Sequence, residues 1–283
     1  MTRRKTKVTS TGGLMVANHL KELLKESRIF DLGQPYFPGM PHHPNQPPFA
    51  YILLKKHGDV TLKKERISFC NDLFTMGGHT GTHLDAKAHV ARNNRITGNI
   101  DISDLQDYQN GLKVMGIETT PPIVTRGVLL DIPRLLNLDV LPYNFGIGEK
   151  DMQKAVENEG VTIEQGDVVL IRTGWMKFWE DRQKYLSFEK GVPGVVEDGA
   201  KFLAQKAISF TGSDTTAYDK VPPNHLPCHV ILLVENGIQI MEMLNLEELS
   251  RSCIYTFLFI ALPLKIRGGA GSPIRPIAIS WDQ

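Results

Sequence analysis

The sequence predicts a mixed α/β single domain, and three observations carry the prediction. Short β-rich runs recur, helical stretches punctuated by glycine and proline stand between them, and neither GxGxxG nor GxxxxGK[ST] is present. The first two place strands and helices in one unit without strict alternation, and the third argues against a nucleotide-binding doubly wound sheet. At 283 residues the chain can bury a sizeable core without disulfides.

Taken in order, residues 1–28 read as a polar tail and a short amphipathic helix, with Leu14, Val16, Leu20, Leu23 and Leu24 at near-helical spacing. Residues 29–283 are expected to form the domain itself. It opens with DLGQPYFPGMPHHPNQPPF, whose six prolines forbid a helix and impose an extended, turning path, an arm over the surface. Strands are predicted at AYILLKK (50–56), RISFC (66–70), RGVLLDI (126–132), DVVLIRTG (167–174), HVILLVEN (229–236) and TFLFIALPL (256–264). EKDMQKAVENEG reads as a helix closed by Gly160, VPGVVEDGAKFLAQK as one opened by Pro193, and NLEELSR as a third starting near Asn245. No internal repeat or low-complexity linker divides the chain.

Charge removes several functions. The net charge is +1, from 32 basic and 31 acidic residues interleaved along the chain, so no broad positive field exists for nucleic acid. MTRRKTK reads as a solvated end rather than a binding arm. Cys70, Cys228 and Cys253 lie far apart and outside any CxxC pattern, which predicts a reducing, cytoplasmic setting. The longest apolar run, Cys253 to Leu264, is too short to span a bilayer and ends near Pro263. A secretory apolar region is also missing after Arg3 and Arg4.

GGHTGTHLDAKAH, from Gly77 to His89, concentrates three of the nine histidines. His79, His83, Asp85 and His89 form H-x3-H-x-D-x3-H. In an extended segment His83 and Asp85 share a face, and Gly81 frees the backbone to bend His79 toward them. Imidazoles with a carboxylate and no thiolate suit Zn²⁺, Mn²⁺ or Fe²⁺, and such a set leaves positions for water, as catalytic sites do. A lone histidine is more often a hydrogen-bonded core residue. Four metal-competent side chains within eleven positions favour a metal site instead.

HTGTHLDAKAH resembles the H-x-G-T-H-x-D-x-P-x-H signature of the cyclase-like metal-dependent hydrolases, the superfamily of bacterial kynurenine formamidase and isatin hydrolase. DLGQPYFPGMPHHP, GDVVLIRTGW, GSDT, HVILLVENGIQIMEMLNLEEL and GGAGSPIRPIAI are similar to further family segments, so the resemblance covers most of the chain. It implies a swivelling β/β/α-like fold and a Mn²⁺ or Zn²⁺ cofactor. It further implies His79, His83 and Asp85 as ligands, His229 and Glu242 as completing a dinuclear set, and His89 as acid/base with Glu242 as runner-up. A divalent ion lowers the pKa of its water to about 7 and polarises a carbonyl. The departure from the signature is Lys87, where the family has proline; the lysine points either at the site or at solvent.

Substrate contacts are expected from the proline-rich opening, where His43 stands in place of the aromatic of formamidase relatives, and from Phe37, Trp175 and Asp214. Tyr36, Phe49, Phe74 and Tyr218 are further wall candidates, and Thr215 and Arg275 are equally open to structural roles. The leading expectation is hydrolysis of a cyclic amide or imide of the isatin kind. N-formylkynurenine or lactone hydrolysis is the alternative, and a catalytically silent metal-binding interaction module is the second. The partners expected are a small-molecule substrate and a second copy of the chain, in a homodimer or larger assembly.

Overall fold

The computed structural model describes residues 10–59, 61–62, 64–222 and 225–281. The basic tail therefore lies outside the described residues, as do the side chains of Leu14 and Val16. Helix α1 (Ser10–Lys25) leads into β1 (Arg28–Asp31), a two-stranded ribbon of β2 (Ala50–Lys55) and β3 (Asn71–Thr75), and β4 (His83–Asp85). Then come β5 (Ile123–Asp131), α2 (Glu149–Glu159), β6 (Val168–Arg172), α3 (Glu197–Gln205) and β7 (Phe210–Ser213). The chain closes through β8 (Gln239–Glu242), α4 (Glu247–Arg251), β9 (Thr256–Ala261), β10 (Gly271–Pro273) and β11 (Ile277–Ser280).

Nine strands form one curled sheet in the order β1-β11-β9-β5-β6-β7-β8-β4-β10. Its middle, β5 to β8, is parallel, and both flanks are antiparallel. The central strands β5 and β6 are buried on both faces, so residues 128–130 and 168–171 read as continuous apolar runs. Alternation divides them between two cores. Val128, Leu130, Val169 and Ile171 pack with Met152 and Ala155 of α2 and with Ala200 and Leu203 of α3. Leu129, Val168 and Leu170 face the other way, onto Phe30, Leu84, Met241, Phe257 and Phe259. At the carboxyl ends, buried Arg172 joins Asp131 at 2.8 Å and Glu247 at 2.9 Å, tying β5, β6 and α4 together.

Helix α2 ends as its sequence predicts, with Gly160 at φ 64°, the left-handed conformation that glycine adopts without steric cost. Three expectations are corrected. Residues 229–236 form no strand: Pro227–His229 opens a helical segment that continues as a π-helical turn over Val230–Glu235. A short apolar run fits a buried helix as well as a strand, and Pro227 supplies the pre-set φ of a first turn. Around 66–70 only Ile67–Ser68 pairs, and the longer strand lies at Asn71–Thr75. Pro193 precedes the short strand Gly194–Val195, and α3 starts later, at Glu197.

No helix among the described residues is long and apolar enough to cross a membrane. The three cysteines are unpaired, with Cys70 and Cys253 exposed and Cys228 buried.

Candidate metal centre

The histidine motif folds as a turn followed by β4. Gly81 takes φ +71°, and a Cβ there would collide with the ring of Tyr36. Thr82 clamps the turn: its hydroxyl donates to the Met243 carbonyl at 2.7 Å and accepts the Gln34 N–H at 2.9 Å, and its own carbonyl accepts the Tyr36 hydroxyl at 2.8 Å. The register of β4 then sets His83 opposite Glu242 on β8 and Asp85 opposite Gly271 on β10. Gly271 is required because a Cβ there would stand 2.6 Å from the His79 ring.

Each of three imidazoles donates its Nδ1–H to the protein. His79 donates to Asp85 Oδ1 at 2.8 Å, His83 to the Gly81 carbonyl at 2.8 Å, and His229 to Asp219 Oδ2 at 2.5 Å. Their Nε2 lone pairs are thereby left free, the arrangement in which histidine binds metal. His229 Nε2 lies 3.6 Å from Asp85 Oδ2 and 3.4 Å from Glu242 Oε1. His83 Nε2 lies 3.5 Å from Asp85 Oδ1 and 3.6 Å from Glu242 Oε2. These separations exceed ordinary hydrogen bonds. They match ligand atoms around a common cation, since donors held about 2.1 Å from a tetrahedral ion stand about 3.4 Å apart.

Two ligand groups emerge, His79 with Asp85 and His89, and Asp85 with His229 and Glu242, each with atoms within 4.8 Å of one another. Asp85 belongs to both. The Nε2 of His79 and the Oδ2 of Asp85 are buried without a hydrogen-bond partner among the described residues. Such orphaned atoms are costly unless something else binds them. The donor set therefore fits one or two divalent cations.

Electrostatics agree with this. Burial opposes ionisation of Asp85, but the imidazoles gathered around it, His89, His229, His79 and His83, hold its carboxyl well below the usual carboxylate range. Burial likewise opposes charging of His229, but the Nδ1–H bond it donates to Asp219 and the carboxyl groups of Asp85 and Glu242 beside its Nε2 outweigh burial and raise its pKa, so a cation bound there takes the place of a proton. His89, its ring 4.0 Å from that of His79, is pushed down by burial to about 4, so it is a neutral imidazole at pH 7.

A cavity of about 210 Å³ opens over these groups, lined by His43, Asn45, Gln46, Thr216, Ala217 and Leu226 besides the ligands. His43 thus reaches the cavity, as predicted, with Phe188 edge-on to it at 5.6 Å. Trp175, Asp214 and Phe37 do not line it. Trp175 is core, its Nε1–H donated to the Tyr185 carbonyl at 2.8 Å, and Phe37 packs into the same cluster. Asp214 is fully buried and accepts the Thr173 N–H, the Thr173 hydroxyl and the Gly174 N–H. It holds a turn.

The other wall candidates do not line it either: Tyr36 packs at a tilt on Phe49, which stacks on the exposed Phe74, and Tyr218 bonds Thr211. Arg275 pairs with Asp31 on the surface. Lys87 is exposed and lines a different cleft, with Thr119, Thr120 and Gln239.

Sequence reasoning missed Asp219, Asn45, Gln46, Thr216 and Leu226. The polar run DTTAYD and the PNQ following His43 were the available signals. Neither shows which residues face inward.

The curled sheet and the histidine and carboxylate centre at its antiparallel flank define a protein of the cyclase-like metal-dependent hydrolase class. Residues 30–220 match the Cyclase family, and the chain belongs to that family. A kynurenine formamidase of Bacillus thuringiensis subsp. konkukian is 27% identical over 255 residues, 90% of this chain and 98% of that protein. An isatin hydrolase of Roseibium aggregatum is 29% identical over 222 residues, 75% of each chain. Among solved structures, a novel cyclase superimposes with TM-score 0.84 at 26% identity, covering 93% of this chain and 90% of that one. Isatin hydrolase A of Ralstonia solanacearum does so with TM-score 0.74 at 25% identity, covering 97% and 99%.

Proposed function

We propose that this protein hydrolyses the C–N bond of a small cyclic amide or imide of the isatin type, using Mn²⁺ or Zn²⁺. The carrying observation is the pair of ligand groups sharing Asp85 on the floor of a small cavity. A bound divalent ion supplies an acidified water and a Lewis acid for the carbonyl. The chain's own residues do the rest. The carboxyl groups of Asp85 and Glu242 would hold the metal and offset its charge. His89, neutral and against the His79 ring, accepts a proton from the attacking water and returns it to the departing nitrogen. Asn45, Gln46 and His43 orient the substrate.

N-formylkynurenine is the second reading, favoured by the completeness of the Asp85, His229 and Glu242 group, which suits a dinuclear centre. His43 in place of an aromatic favours the first. Metal content together with ultraviolet absorbance during incubation with isatin and N-formylkynurenine tests both. Metal-loaded protein inert toward amides, imides and lactones overturns both and supports a silent metal-binding module.

We further propose a cytoplasmic homodimer or larger assembly. Tyr51, Ile52, Leu53, Leu54, Leu73 and Phe74 of the β2-β3 ribbon are exposed, and an isolated two-stranded ribbon is marginally stable in water. A second copy of the chain is the proposed cover.

A further inference from the structure

The segment from β7 into the following turn carries several hydroxyls, and they fall into two kinds. Thr211 Oγ1 donates to the Val169 carbonyl at 2.8 Å and meets the Tyr218 hydroxyl at 2.8 Å. Ser213 and Thr215 bond each other at 2.9 Å. Each of these holds the fold. Thr216 differs: it is 1% exposed, and its hydroxyl has no hydrogen-bond partner among the described residues. It also lines the metal cavity, which Thr211, Ser213 and Thr215 do not.

A buried hydroxyl without a partner is unfavourable by an amount comparable to a lost hydrogen bond. Every neighbour avoids that cost, so the packing here could satisfy hydroxyls and leaves this one unpaired, on a residue that lines the cavity. What meets it must therefore enter the cavity. The chemistry of the wall narrows the choice. Asp85, Glu242, His79 and His229 offer their ligand atoms to a cation, which leaves the other polar groups of the wall to meet a substrate. A hydroxyl both donates and accepts, so it can meet either the oxygen or the N–H of an amide.

We propose that Thr216 is a substrate-binding residue whose hydroxyl hydrogen-bonds the amide group undergoing hydrolysis. This rests on the hydrolase reading above. A site built around such a bond discriminates strongly for it, because losing it leaves a buried polar group unpaired.

The test compares Thr216→Val, which keeps the shape and removes the hydroxyl, with Thr216→Ser, which keeps the hydroxyl. Both are assayed with whichever of isatin or N-formylkynurenine the wild type turns over, alongside metal content and melting temperature. Thr216→Val is expected to lose at least about tenfold in kcat/KM, with metal content unchanged and a melting temperature equal to or above wild type. Thr216→Ser should stay within about threefold of wild type.

The stability readout separates this from a structural role, because removing a structural hydroxyl would lower the melting temperature. Valine turnover within about twofold of wild type, or loss of metal or of stability in that variant, overturns the inference alone. A metal-loaded wild type inert toward both substrates overturns the hydrolase reading and this inference with it.

Discussion

Asp85 is the side chain on which both ligand groups depend, and its two oxygens face different imidazoles. Asp85→Ala is therefore expected to bring metal content near zero, and undiminished metal by elemental analysis refutes its role. His89→Ala should lower kcat by about 10²–10⁴ while the Asp85, His229 and Glu242 group keeps its ion; retained turnover with bound metal rejects the acid/base assignment. Asp219 works one step back. Its Oδ1 accepts the Cys228 N–H at 2.9 Å and its Oδ2 the His229 Nδ1–H, fixing the helical turn and the ring together. Asp219→Asn should weaken metal binding by about 10–100-fold, read by chelator competition; affinity equal to wild type contradicts this. At this scale His79, His83, Asp85 and His89 were legible because one short motif carries them. Asp219 was not, since a carboxylate ten positions from its histidine is indistinguishable in sequence from a surface turn. Trp175 and Asp214 were misplaced for the same reason, as a motif does not reveal which wall of a strand end its residues face.

Among the elements, β5, β6 and the close of α2 were legible from apolar runs and from Gly160, whereas β7, β8 and the route from His229 to Glu242 were not. A strand was expected over residues 229–236, but a helical segment followed by β8 brings the two together, with β8 lying parallel to β7. One strand–helix junction carries its own pH dependence. Glu159, at the end of α2, accepts the Asp131 N–H at 2.7 Å, and its Oε2 is buried without a partner among the described residues. Burial, reinforced by the charge of Asp131, raises its pKa from 4.5 to about 8. The folded state then binds more protons than the unfolded one between these values, so this group's contribution to stability falls as pH rises through that window and levels off above it. Glu159→Gln, which stays neutral, should gain on wild type in melting temperature from pH 5 to pH 8, by about 3 °C or more. Calorimetry across that range checks it, and a gap independent of pH refutes it.

For the whole molecule, the exposed β2-β3 ribbon and Leu20 and Leu24 of α1, also exposed, are what the proposed second copy would cover. Light scattering should report a dimer or larger species, and Ile52→Lys combined with Phe74→Lys should reduce it to a monomer; a monomeric wild type overturns the assembly. The α1 helix is tied to the other end of the chain, where the Trp281 indole N–H donates to the Leu23 carbonyl at 2.8 Å, a contact no local pattern announces. The sequence by itself determined the mixed α/β class, the absence of a nucleic-acid-binding charge field and the metal-competent motif. Each of these is a local property, set by composition, by period-two burial or by ligand spacing within a few residues. Tertiary structure alone decided that Asp85 serves two ligand groups, that Asp219 orients His229 and that Thr216 rather than Trp175 or Asp214 lines the cavity. Those outcomes depend on strand register and helix packing, which bring distant segments together through the burial of both sheet faces and not through any preference of the residues themselves.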